Sequence, residues 1–375
     1  MHVINPRANK ERSVDAGEEL ESLIATLGGQ VVDRVVQKLN NPDNGTFIGR
    51  GKVQEVIKIV DEKAIDVVVL NSVAKPRQVH ALKTALQKAN PQIEVWDRVD
   101  LILQIFDKHA KTTEAKLQIE LARMQYMGPR IYGMGHVMSR QGGGIGTLGV
   151  GETNTELMKR HWRDQMKKIS DELDKMSVTH ERQLERRKRA GLRTVSLIGY
   201  TNAGKSSLFN ALTGKDALVQ NALFATLDST VGKLFLPDIG QEVIISDTIG
   251  FIRNLPPRLI RAFKSTLLES MHADILLHVI DVADPEYPEK ITVVNDILRE
   301  LGQDADSAVY VFNKIDAAKS LDSLLVKEKY LEHMPLFVSV KTHTGILAVL
   351  DAVSKRLLHL EAISSKTPTE AKELL

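Results

Sequence analysis

The octapeptide Gly199-Tyr200-Thr201-Asn202-Ala203-Gly204-Lys205-Ser206 fits G-x-x-x-x-G-K-[ST]. It lies between an apolar run, Val195-Ser196-Leu197-Ile198, and a helical pattern from Ser207 to Leu212. Few short patterns restrict a fold as tightly. Glycines let backbone N–H groups turn inward around a phosphate, and the helix that follows adds the partial positive charge of its N-terminus. The device needs a strand that ends against a helix start, so this part of the chain is expected to be α/β. In such a loop Lys205 neutralises β- and γ-phosphates and the Ser206 hydroxyl binds Mg²⁺.

The remainder of residues 191–361 has the same grain. Val243-Ile244-Ile245, Ile275 to Ile280, Val309 to Phe312 and Leu336-Phe337-Val338 read as strands with helices between them. About 170 residues suits one doubly wound domain. Two of these runs end in further motifs. Asp247-Thr248-Ile249-Gly250 begins 48 residues beyond Gly199. There Asp247 can hold Mg²⁺ through water, and the Gly250 N–H can reach a γ-phosphate. Asn313-Lys314-Ile315-Asp316 follows Phe312. Asp316 can accept hydrogen bonds from N1–H and N2–H₂ of guanine. Adenine has neither donor, so a carboxylate buried against it would lose both partners.

Three weaker signals accompany them. Ser339-Val340-Lys341 either supplies a backbone N–H to guanine O6 or is a plain strand end. Phe224-Ala225-Thr226-Leu227-Asp228 lies in a loop-like stretch before Leu234-Phe235-Leu236, where a threonine can ligate Mg²⁺ and sense the γ-phosphate. Thr230 competes with Thr226 for that part. Asn202 leaves two readings open: its carboxamide oxygen helps hold K⁺ beside the phosphates, or it caps its own turn.

Upstream the chain divides in two. Residues 1–98 alternate helical stretches (Leu20, Leu23, Ile24, Leu27; Val53, Val56, Ile57, Val60) with strand-like runs (Val31 to Val36; Val67 to Leu70; Ile93 to Trp96). This is the pattern of a small α/β domain. Residues 99–190 read as two long helices, Val99 to Met127 and Leu157 to Leu184. In the second, Trp162, Met166, Ile169, Leu173 and Met176 follow the 4-3-4-3 seam of a coiled coil. Each helix has one apolar stripe, so the pair satisfies itself as an antiparallel hairpin. The connection Gly128 to Gly151 holds nine of the chain's 24 glycines, which predicts a long tip loop of functional or disordered character. The run Glu185-Arg186-Arg187-Lys188-Arg189 is either a solvated helix end or, with Arg130, His136 and Arg140, a contact for RNA phosphate. Residues 362–375 read as a polar tail.

Composition excludes several classes. The absence of cysteine removes disulfide, thiolate-metal and cysteine-nucleophile chemistry. No apolar run reaches membrane-spanning length, and no secretory leader opens the chain. A membrane partner is not expected, and a cytoplasmic protein is. The net charge of +2 means that any nucleic-acid affinity must come from local clusters.

Taken in order, these motifs resemble a translation-factor-class GTPase. Further stretches narrow the resemblance to the HflX family of ribosome-associated GTPases. They are Phe47 to Lys52, Glu114-Ala115-Lys116-Leu117-Gln118-Ile119-Glu120-Leu121-Ala122, Phe224 to Asp228, and Asp247-Thr248-Ile249-Gly250-Phe251-Ile252-Arg253-Asn254-Leu255-Pro256. The resemblance implies an N-terminal α/β domain, a helical hairpin and a GTPase domain. It also implies binding to rRNA and proteins of the large ribosomal subunit, with subunit splitting or rescue as the task, and a monomer off the ribosome. It assigns the Mg²⁺-ligating threonine to Thr226. Departures from the family's pattern are the segment Gly149 to Arg160, which lacks the usual Asp-Arg pair, Val340 in place of alanine, and a first strand that is short. The C-terminal domain that some relatives carry is also not matched.

Phe251 stands where many regulatory GTPases place a water-orienting glutamine. A benzyl ring cannot orient water, so hydrolysis is expected to be slow alone and stimulated by ribosomes. Gain or loss of the γ-phosphate would switch the stretches around Thr226 and from Gly250 to Leu255, with Pro256-Pro257 stiffening the exit into a helix over Arg258 to Met271. The competing reading is an RNA-binding or RNA-remodelling module whose nucleotide is a stability ligand.

Overall fold

The computed structural model describes residues 2–4, 10–141, 150–214, 224, 230–253, 259, 272–318 and 322–364. The chain forms two compact units, one built on residues 1–175 and the other on residues 176–255 and 263–375.

The first unit starts with parallel strand pairs joined by helices. Strand β1 (His2–Ile4) pairs with β2 (Val36–Lys38), and β3 (Val67–Val69) pairs with β4 (Glu94–Trp96). Helices α1 (Lys10–Leu27), α2 (Arg50–Lys63) and α3 (Pro76–Leu86) make the connections. The core is Ile48, Val53, Val56, Val60, Leu70, Leu82, Leu86 and Ile93. The expected strand over Val31 to Val36 shrinks to a single shared residue. Val31 and Val32 are 38% and 52% exposed and make no ladder, so their β-branched character alone did not recruit a partner.

The expected helix over Val99 to Met127 is broken. Helix α4 (Arg98–His109) ends where Ala110 turns to the extended region, and α5 (Thr113–Gln141) begins after Thr112, whose hydroxyl accepts from Ala115 N–H (3.1 Å). Asp97 caps α4, accepting from Val99 and Asp100 N–H, and its side chain also takes Ala74 N–H and the Tyr126 hydroxyl. Helix α4 packs against α1 and is apolar on most sides (Val99, Leu101, Ile102, Leu103, Ile105 and Phe106 are buried), so it is a core helix of the first unit.

Helix α5 runs through Gly128 and Pro129 to Gln141, and α6 spans Val150–Arg189. The tip loop drawn over 128–151 is therefore mostly helix, and only 142–149 lie outside the described residues. Composition predicts a loop because glycine costs a helix about 1 kcal/mol per residue, but five of the nine glycines fall within 142–149 and the helices carry only the other four. The seam itself is as read: Leu121, Met124 and Ile169 are buried, with Leu117, Trp162, Met166 and Leu173 packed on them. The Trp162 indole N–H donates to Met124 O (3.0 Å).

The second unit carries a mixed six-stranded sheet in the order β10-β9-β8-β5-β7-β6. Its members are β5 (Thr194–Gly199), β6 (Thr230–Leu236), β7 (Gln241–Asp247), β8 (Ile275–Asp281), β9 (Val309–Asn313) and β10 (Leu336–Phe337). All neighbours are parallel except the edge pair β6–β7, an antiparallel hairpin. Helices α7 (Lys205–Thr213), α8 (Tyr287–Glu300), α9 (Ser323–Lys329) and α10 (Ile346–Ser364) surround it. One face buries Val195, Leu197, Leu277, Val279 and Val311 against Leu208 and Phe209 of α7 and Val349, Val353 and Leu357 of α10. Because side chains alternate along a strand, Leu276, His278 and Ile280 lie buried on the other face, and α8 packs against β8. The expected helix over Arg258 to Met271 lies outside the described residues except Leu259.

Candidate functional site

Parallel strands bring their C-terminal ends to one edge of a sheet, the place where open α/β sheets bind ligands. Here Gly199, Asp247, Asn313 and Ser339 arrive together. Leu197 is the register partner of Asp247, Gly199 of Val279, and Asn313 of Asp281. Four motifs scattered over about 140 residues thus meet at one end of β5, β7, β9 and β10.

The P-loop has a backbone that only small residues allow. Gly199 has φ +147° and Gly204 φ +96°. A Cβ on Gly199 would run into the Val279 carbonyl, and one on Gly204 into the Asn313 carboxamide. Asn202 also lies in the left-handed region (φ +61°), which asparagine tolerates. Its exposed side chain makes no hydrogen bond within its own turn among the described residues, so the local capping alternative is not what the structure shows. Lys205 is buried, and its ammonium donates to Gly199 O (3.2 Å) and Tyr200 O (3.0 Å). Burial pushes its pKa down to about 8, partly offset by the negative charge of Asp247. The Thr201 hydroxyl is buried and has no partner among the described residues.

Beside this loop the Ser206 hydroxyl donates to Asp247 Oδ2 (2.6 Å). A hydroxyl and a fully buried carboxylate in contact offer the hard oxygen donors that Mg²⁺ takes. Thr248 is spent internally, its hydroxyl donating to Leu197 O (2.6 Å), and Ile249 is buried. Gly250 presses on the P-loop: a Cβ there would stand 2.7 Å from Thr201 Cγ2 and 3.0 Å from Lys205 Nζ. Phe251 is itself buried, not turned toward water. Phe224 is buried with φ +59°, whereas Ala225, Thr226, Leu227 and Asp228 lie outside the described residues. Thr230, the competing threonine, opens β6 directly opposite Asp247.

On the base side Asn313 is a strut. Its amide donates to Ala203 O (3.0 Å), and its carbonyl accepts from Val340 N–H (3.3 Å), so one buried side chain ties the P-loop to the last motif. Lys314 (φ +64°) donates to Asn202 O (2.8 Å) and pairs with Asp281 (2.6 Å). Ile315 N–H donates to Val338 O (3.3 Å). Asp316 is exposed. The Ser339 hydroxyl donates to Asp316 Oδ1 (2.6 Å) and, with Lys341 and Lys314 nearby, holds its carboxyl below the usual range. The expected donors at Ser339 and Val340 are engaged: Ser339 N–H bonds Thr344 O (3.0 Å), and Val340 N–H bonds Asn313. The Lys341 N–H makes no such backbone bond among the described residues. Sequence reasoning missed Asp281. Its signal was an acid at the end of the strand next to the Asn-Lys-x-Asp motif.

A P-loop, a strand-end aspartate touching the P-loop serine, and an Asn-Lys-x-Asp turn strapped to both define the class: a P-loop GTPase domain. Comparison with known proteins agrees. Residues 15–107 match the description "GTP-binding GTPase N-terminal", 109–189 "GTP-binding GTPase Middle Region" and 194–314 "50S ribosome-binding GTPase". The GTPase HflX of Caldanaerobacter subterraneus subsp. tengcongensis is 42% identical over 353 residues, covering 94% of this chain and 79% of that one. GTPase HflX of Escherichia coli is 35% identical over 348 residues, covering 93% and 80%. The crystal structure of SsGBP with GDP superposes with a TM-score of 0.54 at 25% identity, over 96% of this chain and 98% of that one. This chain belongs to the HflX family of GTPases. Among the described residues no helix is long and apolar enough to cross a membrane.

Proposed function

We propose that this chain is a GTP-hydrolysing factor that engages rRNA and proteins of the large ribosomal subunit and uses the nucleotide to split or rescue ribosomes. The observation that carries the reading is the Ser206–Asp247 contact beside Lys205, in a chain of the HflX family. Gly199 to Ser206 wrap the phosphates, with Lys205 leaving the carbonyls of Gly199 and Tyr200 for the β/γ-phosphates. Ser206, Thr226 and, through water, Asp247 would hold Mg²⁺, which would supply positive charge against the phosphates. Asp316 and the Lys341 N–H read guanine, while Asn313, Lys314 and Ile315 hold that loop in place. Asn202 would contribute an oxygen to K⁺. The stretch Phe224-Ala225-Thr226-Leu227-Asp228 supplies Thr226, and Thr248 and Ile249 anchor Gly250. The protein works in the cytoplasm and is a monomer off the ribosome.

Phe251 supports slow intrinsic turnover, because a buried ring offers no group to the attacking water. Turnover should rise at least about tenfold when large ribosomal subunits are added. Equal rates with and without them would remove the ribosome from the catalytic cycle. Thr226→Ala should abolish the preference for Mg²⁺-bound GTP analogue over GDP, and Thr230→Ala should leave it; the reverse would move the ligand to Thr230. A Lys205→Ala protein that still split ribosomes without nucleotide would establish the RNA-binding-module reading instead. The exposed cations Arg186, Lys188 and Arg189 would then be the surface to examine.

A further inference from the structure

The chain just after Gly250 is fastened at several points that phosphate binding does not require. Phe251 forms a parallel bridge with Tyr200, its N–H donating to Gly199 O (3.1 Å) and its carbonyl accepting from Thr201 N–H (2.8 Å). Two residues on, the Arg253 N–H donates to the Tyr200 hydroxyl (3.0 Å). The Arg253 guanidinium is paired with Glu286, and the two side chains are only 20% and 15% exposed. Glu286 immediately precedes α8, and its N–H donates to Asp284 Oδ1 (2.9 Å). Asp284 pairs with Lys290, whose ammonium lies 5.0 Å from the centre of the Tyr200 ring. The contacts form a closed circuit from the P-loop through Arg253 to the β8–α8 corner and back.

Such a pair is a poor way to gain stability, because desolvating both charges offsets much of their attraction. It is a good way to fix a register, since a guanidinium and a carboxylate meet in few geometries. What it fixes lies three residues away. A Cβ on Gly250 would run into Thr201 and the Lys205 ammonium, and the Phe251 bridge fastens the chain between Gly250 and Arg253 to the P-loop. We propose that the Arg253–Glu286 pair, acting with the Tyr200 hydroxyl, is a positioning device that sets the Gly250 N–H for the γ-phosphate and thereby lets the protein distinguish GTP from GDP. The inference rests on the GTPase reading of the site. Arg253 and Glu286 are positioning residues. Neither is required to touch the nucleotide.

The test is a pair of equilibrium affinities, for GDP and for a non-hydrolysable GTP analogue, both with Mg²⁺. They are measured for the wild type, Glu286→Gln, Arg253→Glu and the double exchange Arg253→Glu with Glu286→Arg. Glu286→Gln should leave GDP affinity within about twofold and weaken the analogue about fivefold or more, the range of an ordinary coupling between sites. Arg253→Glu should do the same, and the double exchange should recover most of the lost discrimination. Equal weakening of both ligands, no change in either, or a double exchange no better than its parents would overturn the proposal. If Glu286→Gln does not fold, Arg253→Gln breaks the same pair from its other side and should show the same selective loss; an unchanged ratio there overturns it too. A wild type indifferent to guanine nucleotides would sink the GTPase reading itself, a result distinguishable from a wild type that discriminates and variants that do so equally well.

Discussion

In the free protein Lys205 spends its ammonium on two P-loop carbonyls, and burial brings its pKa down to about 8 from an ordinary 10.5. A phosphate in the loop replaces those carbonyls with anionic oxygens, which favours the charged form and returns the pKa to its ordinary range or above. Nucleotide binding must therefore take up protons above neutrality. At about pH 8.5 a group of pKa about 8 is about one-quarter protonated, so binding should draw in about three-quarters of a proton per nucleotide. At about pH 6.5 the uptake at Lys205 falls to almost nothing. The sign follows from which state holds the proton: affinity is full below the free-state pKa and declines above it. Between about pH 7 and about pH 9 the loss is about tenfold in Kd, or about 1.4 kcal/mol. Calorimetry of GDP binding in buffers of different ionisation enthalpy measures the uptake directly. Lys205→Arg, which stays charged throughout, controls for the nucleotide's own ionisation. A wild type that takes up no more protons at about pH 8.5 than Lys205→Arg would show that the ammonium is already charged without ligand, and the burial argument would fail.

Three further outcomes follow from single contacts. On the proposed reading, Asp316→Asn would replace an acceptor for two guanine donors by a group with one acceptor and a competing donor. It should weaken GDP by at least about tenfold in a fluorescence titration and leave ADP binding unchanged. Gly204→Ala forces a left-handed residue against the Asn313 carboxamide; urea denaturation should register a loss of about 1–3 kcal/mol, and an unaltered midpoint would contradict the geometry. His278 is buried in β8, and burial, with the charge of Lys205, lowers its pKa to about 3. The unfolded chain then binds more protons below the ordinary value of 6.5, so stability declines as pH falls from there toward 3. About 2 kcal/mol should be missing at about pH 5 relative to neutrality, and His278→Leu should flatten that slope.

The phosphate loop was legible in the chain because its chemistry is local. Gly199, Gly204, Lys205 and Ser206 do their work within eight residues, and strand and helix on either side are told by apolar periodicity alone. The same holds for the α5–α6 seam, where Trp162, Met166, Ile169 and Leu173 repeat at the spacing that two helices require. What failed to show was decided by partners distant in sequence. The break between α4 and α5 goes with an α4 that is buried on most sides and packs on both α1 and α5. The run from Gly128 to Gln141 is helical although its composition argues for a loop. Strand β6 exists because β7 offers it an antiparallel edge.

Site geometry divides in the same way. Residue type told which atoms are able to meet a phosphate, a hard cation or a guanine. Tertiary structure alone put Asp247 against Ser206, spent the Val340 N–H on Asn313, gave Lys314 its partner Asp281, and tied Arg253 to Glu286. Backbone conformation and helix charge act over a few residues and are written in the order of the chain. Pairing between strand ends depends on which strands become neighbours, and that is set by the whole sheet at once.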